Sequence, residues 1–240
     1  MDIVVFARYW EPGKVKTRLC PPLSLEEAAM INCRFLDVLI ARLRCIPELT
    51  PFIAYEPDWA REAFHLRYPG IQLEPQKGDG LGAKLCHVVF GRAGPCLITG
   101  SDCPTTPLES FRNAMAALNA GADVVLAPTE DGGAHILGAW PKCSEWFSGI
   151  PWSSGTERNA LLKRSQEFGW CCESIAMWYD VDRPTEIPRV TEDLRASIAD
   201  GEIGRNDFED LLRLLDELCD RIGVAGLKLH ASRLSNREVG

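Results

Sequence analysis

The chain has 240 residues, 46% of them hydrophobic and 25% charged, which suits one α/β domain with a full core and excludes a disordered or repeat protein. A formal net charge of −8 argues against a general nucleic-acid-binding protein. No apolar run approaches the ~18 residues of a membrane span. The ten cysteines contain no C-x-x-C pair, so we expect reduced thiols in a cytoplasmic protein.

Strand-like and helix-like segments alternate along most of the chain. Such alternation indicates crossover units around a mainly parallel sheet, here in one domain with a helical appendage. Ser24 and Glu27 form an S-x-x-E capping box at the start of the first helix. The predicted strands are 3–7, 51–56, 71–74, 95–100, 123–128, 134–140 and 174–179; the predicted helices are 24–44, 57–68, one ending near 90, one starting at 107, 156–168 and most of 184–222.

Polar clusters follow four of the predicted strands, at the carboxyl ends where open α/β sheets bind ligands. Asp102 follows the fourth strand, and Glu130 and Asp131 follow the fifth. Asp180 and Asp182 follow the last strand. The loop after the first strand is cationic although the chain is acidic, and its candidate residues are Arg8, Gly13, Lys14, Lys16, Thr17 and Arg18.

This arrangement predicts a site for phosphate and a divalent ion. A cationic loop binds phosphate oxygens through charge-assisted hydrogen bonds, and carboxylates at neighbouring strand ends can hold Mg²⁺ or Mn²⁺. Such an ion would neutralise the charge on a leaving diphosphate. Each cluster also has a simpler interpretation: a solvated loop, a helix cap at Asp102, a turn at 130–133, or a turn around Asp180 and Asp182.

Single residues add further predictions. His135 follows two glycines and could face a ligand. Trp152 lies in a polar, loop-like segment and is the best candidate for stacking on a sugar, whereas Trp59 and Trp178 are expected in the core. The sequence contains no P-loop, no dinucleotide-binding glycine motif after the first strand and no nucleophile elbow.

Six motifs occur in order between residue 3 and about residue 187. They are FARYWEPGKVKTRL, QKGDGLGAKL, GSDCP, EDGGAH, PWSS and YDVDRPTE. With them the chain resembles the GT-A-fold nucleotide-diphospho-sugar transferases, and more closely a bacterial branch provisionally assigned to the glycosyltransferases. The resemblance implies a three-layer α/β/α fold with a mixed, mainly parallel sheet, a catalytic core at 1–187 and a helical C-terminal extension at 188–240 packed on it.

Carried over by position, the resemblance gives roles to individual residues. Asp102 and Asp182 would hold Mg²⁺ or Mn²⁺, and Asp131 would face the acceptor as base or hydrogen-bond partner. Asp102 and Asp131 are the catalytic candidates. The candidates for phosphate are Lys14, Lys16 and Arg18; those beside the base are Gln76, Gly78, Gly80 and Gly82; the other candidates for substrate and nucleotide binding are Ala7, Arg8, Gly13, Thr17, Lys84, Ser101, Gly132, Gly133, His135 and Trp152.

The chain departs from the motifs of that branch at three places. Asp79 in GDGLG is shifted by one position, and Lys84 stands where arginine is usual. The pair Ala134-His135 replaces an aromatic pair in the expected acceptor pocket. Acceptor specificity therefore does not carry over from the resemblance.

Three functions fit these features. The leading hypothesis is a metal-dependent transferase that moves a sugar from a nucleoside-diphosphate sugar to an unknown acceptor. The alternative is a nucleotidylyltransferase that joins a nucleoside triphosphate to a phosphorylated substrate and releases pyrophosphate, because the cationic loop suits a triphosphate equally. The third is a non-catalytic nucleotide-binding protein. We expect a monomer or homodimer whose partners are a nucleotide or nucleotide-sugar and an acceptor, without nucleic acid or a membrane span.

Overall fold

The structure, a computed structural model, describes residues 1–235 of the chain. These residues group into two compact units. The first unit contains Met1–Tyr9 and Phe35–Asp180, and the second contains Trp10–Arg34 and the chain from Val181 onward. The division at residue 187 that the resemblance implies stays a prediction.

A sheet of seven strands forms the centre of the first unit. The strands are β1 (Asp2–Arg8), β2 (Thr50–Glu56), β3 (Gln72–Pro75), β4 (Cys96–Gly100), β5 (Val124–Pro128), β6 (Ala134–Ala139) and β7 (Cys172–Ser174). Their order is β3-β2-β1-β4-β6-β5-β7, and β6 pairs antiparallel with both of its neighbours. The other pairs are parallel, so the predicted mixed, mainly parallel sheet is confirmed.

Helices of the first unit cover both faces of this sheet. The helices of the described chain, in both units, are α1 (Leu25–Leu43), α2 (Arg61–Arg67), α3 (Gly80–Phe90), α4 (Leu108–Asn119), α5 (Glu157–Phe168), α6 (Ile187–Ala199) and α7 (Glu209–Ser235). Residues of α3 and α5 share a buried cluster with Ile98 of β4. Leu118 of α4 approaches Gly138, which is in register with Leu97 and therefore faces the opposite side from Ile98. The three-layer α/β/α fold is confirmed.

The last strand lies earlier in the chain than predicted. The apolar run predicted a strand over 174–179, but β7 ends at Ser174. Up to the pair Leu126–Ser174 the register between β5 and β7 is constant, and the next bridge joins Thr129 to Trp178. This leaves one extra residue on the later segment, which interrupts the ladder as a bulge does. The prediction is wrong here because the alternation of apolar residues does not reveal a change of register.

The second unit is largely helical. The predicted capping box is confirmed, since Ser24 N–H donates to Glu27 Oε2 at 2.8 Å and Glu27 N–H donates to Ser24 Oγ at 3.1 Å. The helices α6 and α7 confirm the helical C-terminal extension up to Ser235, and residues 236–240 lie outside the described part. The apolar side chains around the start of α7 are buried: Phe208, Leu211, Leu212, Leu215 and Leu218.

The described helices include no candidate for a transmembrane segment. Within residues 1–235 no helix combines the length and the hydropathy needed to cross a bilayer. This agrees with the sequence, which contains no long apolar run.

Candidate functional site

In the second unit, two cations of the loop after β1 meet at one carboxylate. Lys16 Nζ donates to the backbone oxygen of Val181 at 2.6 Å and to Asp182 Oδ1 at 3.3 Å. Arg18 Nη1 donates to Asp182 Oδ2 at 3.1 Å. Each carboxylate oxygen therefore has a cationic partner, and three residues predicted to bind phosphate or metal form one cluster.

Lys16 is fixed within this cluster. Its side chain is only 3% exposed, whereas that of Arg18 is 66% exposed. Its backbone has φ 49°, in the left-handed region that is costly for residues other than glycine. Strain of this kind is found where the surrounding structure enforces a functional conformation. Gly13, Lys14 and Thr17 lie on the exposed part of the same loop and are not drawn into the ionic cluster.

In the first unit, an ionic cluster lies at the carboxyl ends of β1 and β2. Arg8 ends β1 and is in register with Glu56, which ends β2. Arg8 Nε donates to Glu56 Oε1 at 2.5 Å, and Lys84 of α3 donates to Oε2. Burial disfavours the charged form of Glu56, but these hydrogen bonds outweigh that cost and hold its pKa below the usual value. Sequence reasoning missed Glu56, although its position at a strand end is the signal that found Arg8.

Gln76 opens the loop between β3 and α3, and its side-chain amide is held by the backbone. Nε2 donates to the carbonyl oxygens of Ala54 at 2.9 Å and Ala7 at 3.4 Å. Carbonyl oxygens only accept hydrogen bonds, so the amide group that faces them must be the NH₂ group. The other group of the same amide is Oε1. Ala7 takes part through its backbone, since its side chain is buried. Gly78 and Gly80 both have positive φ in the turn that follows.

Trp152 packs closely against the start of α3. Its Nε1 donates to the backbone oxygen of Phe147 at 3.3 Å. A Cβ added to Gly82 would lie 2.6 Å from that oxygen and 2.8 Å from Nε1, so no side chain fits at this position. The indole is half-buried, and its stacking on a sugar stays a prediction.

The loop that carries Asp102 is anchored in the interior by a buried arginine. Arg42 of α1 is 2% exposed, and its Nη1 donates to the carbonyl oxygens of Pro104 and Thr106, both at 2.8 Å. Thr106 Oγ1 closes the loop by donating to Cys103 O at 3.0 Å. Sequence reasoning missed Arg42 because nothing in the pattern of a helix distinguishes this arginine from an exposed one.

Asp102 itself lies half-buried between the buried residues Ser101 and Cys103. The following helix, α4, starts at Leu108 with Pro107 in the N-cap position. The simpler interpretation of Asp102 as the cap of that helix is therefore wrong. The carboxylate belongs to the loop, at the carboxyl end of β4, where ligand-binding groups are expected.

His135 lies in the interior rather than at a surface. Its side chain is buried, with Nδ1 3.4 Å from Thr106 Oγ1 and Nε2 3.2 Å from the backbone oxygen of Ala176. Burial lowers the pKa of His135 to about 4, which keeps the imidazole neutral near pH 7. The ring contacts the loop after β4 through Thr106, and a role for His135 at a ligand stays a prediction.

The EDGG segment forms the turn between β5 and β6. Asp131 Oδ1 accepts hydrogen bonds from Thr129 Oγ1 at 2.5 Å and from Gly133 N–H at 3.0 Å. The turn interpretation therefore holds for one carboxylate oxygen. Asp131 is exposed, and among the described residues its Oδ2 has no hydrogen-bond partner. This oxygen can therefore accept a hydrogen bond from a hydroxyl group, or its proton.

The turn at Asp131 is supported by the loop that follows Trp152. Gly132 has φ 96°, and a Cβ there would lie 2.1 Å from the backbone oxygen of Gly155. Arg158 N–H donates to Gly132 O at 3.0 Å. The backbones of the two loops are in direct contact and hold each other in place. A side chain at Gly132 or Gly155 would enter this contact, which explains why both positions are glycine.

The carboxylates can be tested against the needs of a divalent ion. Among residues 1–235, no three His, Cys, Asp or Glu side chains are grouped so as to hold a metal. Mg²⁺, however, is usually held by one or two carboxylates together with phosphates and water. Asp102 and Asp182 therefore fit such an ion in kind and number. They belong to different units, and their joint binding of an ion stays a prediction.

Comparisons with known proteins identify the fold. A sequence profile described as "Uncharacterized protein conserved in bacteria (DUF2064)" matches residues 39–154. A crystal structure from Desulfovibrio desulfuricans G20, provisionally named a nucleotide-diphospho-sugar transferase, has 25% identity and a TM-score of 0.72 over 82% of this chain and 95% of that one. The chain has the nucleotide-diphospho-sugar transferase fold. The resemblance stated from the motifs is confirmed.

Two further structures share the nucleotide-diphospho-sugar transferase fold at lower identity. Molybdopterin-guanine dinucleotide biosynthesis protein A from Archaeoglobus fulgidus has 13% identity and a TM-score of 0.53, over 82% of this chain and all (100%) of that one. A CMP:2-keto-3-deoxy-manno-octonic acid synthetase complexed with CTP has 14% identity and a TM-score of 0.53, over 83% and 98%. No curated protein matches the sequence.

Proposed function

We propose that the chain is a transferase that moves a sugar from a nucleoside-diphosphate sugar to an acceptor hydroxyl, with a divalent ion as cofactor. The observation that carries this proposal is the cluster in which Lys16 and Arg18 each bind one oxygen of Asp182. A diphosphate presents the same pair of anionic oxygens and carries more charge, so it can take the place of the carboxylate on these cations.

Two further contacts support binding of a whole nucleotide. Gln76 offers Oε1 as an acceptor at the carboxyl end of β3, because its NH₂ group is held by backbone oxygens. Glu56 holds Arg8 and Lys84 in place at the ends of β1 and β2. These groups lie where open α/β sheets bind ligands.

The reaction needs one proton acceptor. The acceptor oxygen would bond to the anomeric carbon, the bond from that carbon to the diphosphate would break, and its electron pair would leave with the nucleoside diphosphate. Asp131 Oδ2 would take the hydroxyl proton, while Thr129 and Gly133 hold Oδ1 in place. An ion held by Asp102 and Asp182 would neutralise charge on the leaving diphosphate.

The relatives support this class of reaction. The protein from Desulfovibrio desulfuricans G20 is named for nucleotide-diphospho-sugar transfer. Nucleotidyl transfer is the second candidate, because the synthetase with the same fold is complexed with CTP, a triphosphate. The two candidates differ in the product released: a nucleoside diphosphate in the first and pyrophosphate in the second.

A thermal-shift screen tests the proposal. Nucleoside-diphosphate sugars and nucleoside triphosphates of each base would be added with and without Mn²⁺, and we expect one base to raise Tm in its presence. Each kcal/mol of binding stabilisation corresponds to roughly 2–4 °C for a chain of this size. Products of the best ligand would then be identified by chromatography.

Lys16→Met gives the matched test of the cluster. This variant keeps the buried aliphatic stem and removes the charge, so the ligand-induced shift should disappear. Lys163→Met removes a charge from a side chain that is 78% exposed on α5, and it should respond as the wild type does. A wild type that binds no nucleotide, or a Lys16→Met variant that binds normally, would contradict the proposal.

A further inference from the structure

An exposed aromatic pair lies beside the ionic cluster of Arg8, Glu56 and Lys84. Trp59 is 65% exposed, which corrects the prediction that it belongs to the core. Its ring meets that of Tyr9 edge-on, with centroids 4.9 Å apart and an interplanar angle of 68°. Tyr9 directly follows β1 and Trp59 follows β2 by three residues, so the pair lies at the carboxyl edge of the sheet.

The pair is fixed by its surroundings. Tyr9 N–H donates to the backbone oxygen of Glu56 at 2.8 Å, which continues the β1–β2 ladder by one residue. Trp59 lies in a short 3-10 turn at Asp58–Ala60, whose last residue is buried. An edge-to-face contact covers only part of an indole. Trp59 thus presents a large, oriented apolar surface where the fold binds ligands.

The neighbouring polar groups suit a nucleobase better than a second apolar partner. Gln76 directly follows β3, the strand next to β2, and its Oε1 is left as an acceptor because its NH₂ group is held by backbone oxygens. The charge of Glu56 is already paired with Arg8 and Lys84. A planar ring that carries an N–H donor on its edge satisfies both the stacking surface and the acceptor.

From these contacts we infer that Trp59, supported by Tyr9, is the stacking surface for the nucleobase of the ligand, and that Gln76 Oε1 accepts a hydrogen bond from the base. This inference rests on the proposed function and names the residues that would bind the base. Stacking of a base on an aromatic side chain contributes about 1–3 kcal/mol, which corresponds to roughly 5- to 150-fold in affinity.

The experiment compares ligands with and without a base. Affinities of CDP, UDP, GDP, ADP and inorganic pyrophosphate would be measured by calorimetry in the presence of Mn²⁺, for the wild type, Trp59→Ala and Trp59→Phe. Phe90→Ala is the matched control, because Phe90 is 75% exposed at the end of α3 that leads to the amino edge of β4. Since Trp59 is exposed, its replacement should leave the fold intact.

We expect Trp59→Ala to weaken the preferred nucleoside diphosphate by about tenfold and to leave pyrophosphate unchanged. Trp59→Phe should recover most of the loss, and Phe90→Ala should bind as the wild type does. If Trp59→Ala loses as much affinity for pyrophosphate as for the nucleotide, or loses none for either, the inference is overturned. Nucleotide binding by the wild type would in that case still uphold the proposed function. A wild type that binds pyrophosphate alone would overturn both.

Discussion

The loops after β4 and β1 carry the main candidate residues, and they are held by different kinds of contact. The loop with Asp102 is held by buried contacts: Arg42 donates to two backbone carbonyls, and Thr106 Oγ1 lies 3.4 Å from Nδ1 of His135. The loop with Lys16 is held by ion pairs to Asp182, whose side chain is 33% exposed. The first set of contacts is buried, whereas the second includes a carboxylate and a guanidinium that are partly exposed to solvent.

The difference follows from the surroundings of each contact. A buried donor or acceptor that loses its partner costs its full desolvation energy, so the bonds around Thr106 persist. The pair of Arg18 with Asp182 lies near solvent, and such an ion pair is worth little more than the water contacts it replaces. Lys16 is buried, so its charge needs an anionic partner, which can be a carboxylate or a phosphate oxygen. Under the proposed function, a diphosphate would replace Asp182 as the anionic partner of Arg18 and Lys16, whereas the buried carbonyl partners of Arg42 would keep their donor.

Removal of Arg42 is the most severe test of this comparison. Arg42→Met leaves two buried carbonyl oxygens without their donor, and we expect the free energy of unfolding to fall by about 3 kcal/mol. Arg44→Met, two residues later on an exposed position, should change it by less than about 0.5 kcal/mol. Urea denaturation measures both. Similar values for the two variants would show that the buried arginine does not hold the loop.

Much of the fold could be predicted from the sequence, because it depends on local patterns. Continuous β-branched runs gave β1 and β4, and the S-x-x-E spacing gave the capping box of Ser24 and Glu27. The pairing of β6 and the bulge before Trp178 depend on partners distant in the chain, so the pattern did not reveal the early end of β7.

The candidate site was predicted less well, because burial decides the role of each side chain. Trp59 was expected in the core but is exposed, and His135, a candidate for facing a ligand, is buried. Residue type favours an indole in the core and a histidine at a ligand. Here, however, the indole lies in a short turn after β2, and the imidazole lies against Thr106 and the backbone oxygen of Ala176. Lys16, Arg18 and Asp182 were named as candidates because they follow strand ends, which is a topological signal. They do form one cluster, and their role in a site stays a prediction.

The pH dependence of the free energy of unfolding tests the buried contacts of the loop with Asp102, through the titration of His135. The pKa of His135 is about 4 in the folded chain against an ordinary value of 6.5, so protons bind preferentially to the unfolded chain. The contribution to stability is complete above the higher value and is lost as the pH falls toward the lower one. Between about pH 7 and pH 4.5 this loss is on the order of 2 kcal/mol.

The measurement is the difference between two denaturation series. His135→Gln keeps a donor for the carbonyl of Ala176 and does not titrate, so wild type and variant share every other ionisable group. We expect the wild type to lose more stability than the variant as the pH is lowered. Parallel pH profiles would mean that the imidazole titrates equally in the folded and unfolded chains.

Asp182→Asn tests the ion pairs that hold the loop with Lys16. We expect it to change the affinity for pyrophosphate by a smaller free energy than the changes above, and in opposite directions without and with a metal ion. In EDTA, the amide no longer competes with phosphate for Lys16 and Arg18, so pyrophosphate should bind about tenfold more tightly than to the wild type. In Mn²⁺, the lost carboxylate ligand should make the same variant bind more weakly than the wild type.

Asp200→Asn controls for the removal of one negative charge from the second unit, since Asp200 is exposed at the end of α6. Simple relief of repulsion would raise the affinity of both variants alike, and its size would fall with ionic strength. Direct exchange at Lys16 and Arg18 requires the gain in EDTA to be confined to Asp182→Asn. If Asp182→Asn binds pyrophosphate no better than the wild type in EDTA, the Asp182 carboxylate does not occupy the phosphate position. The loops with Lys16 and with Asp102 would then differ in composition but not in their capacity to exchange partners.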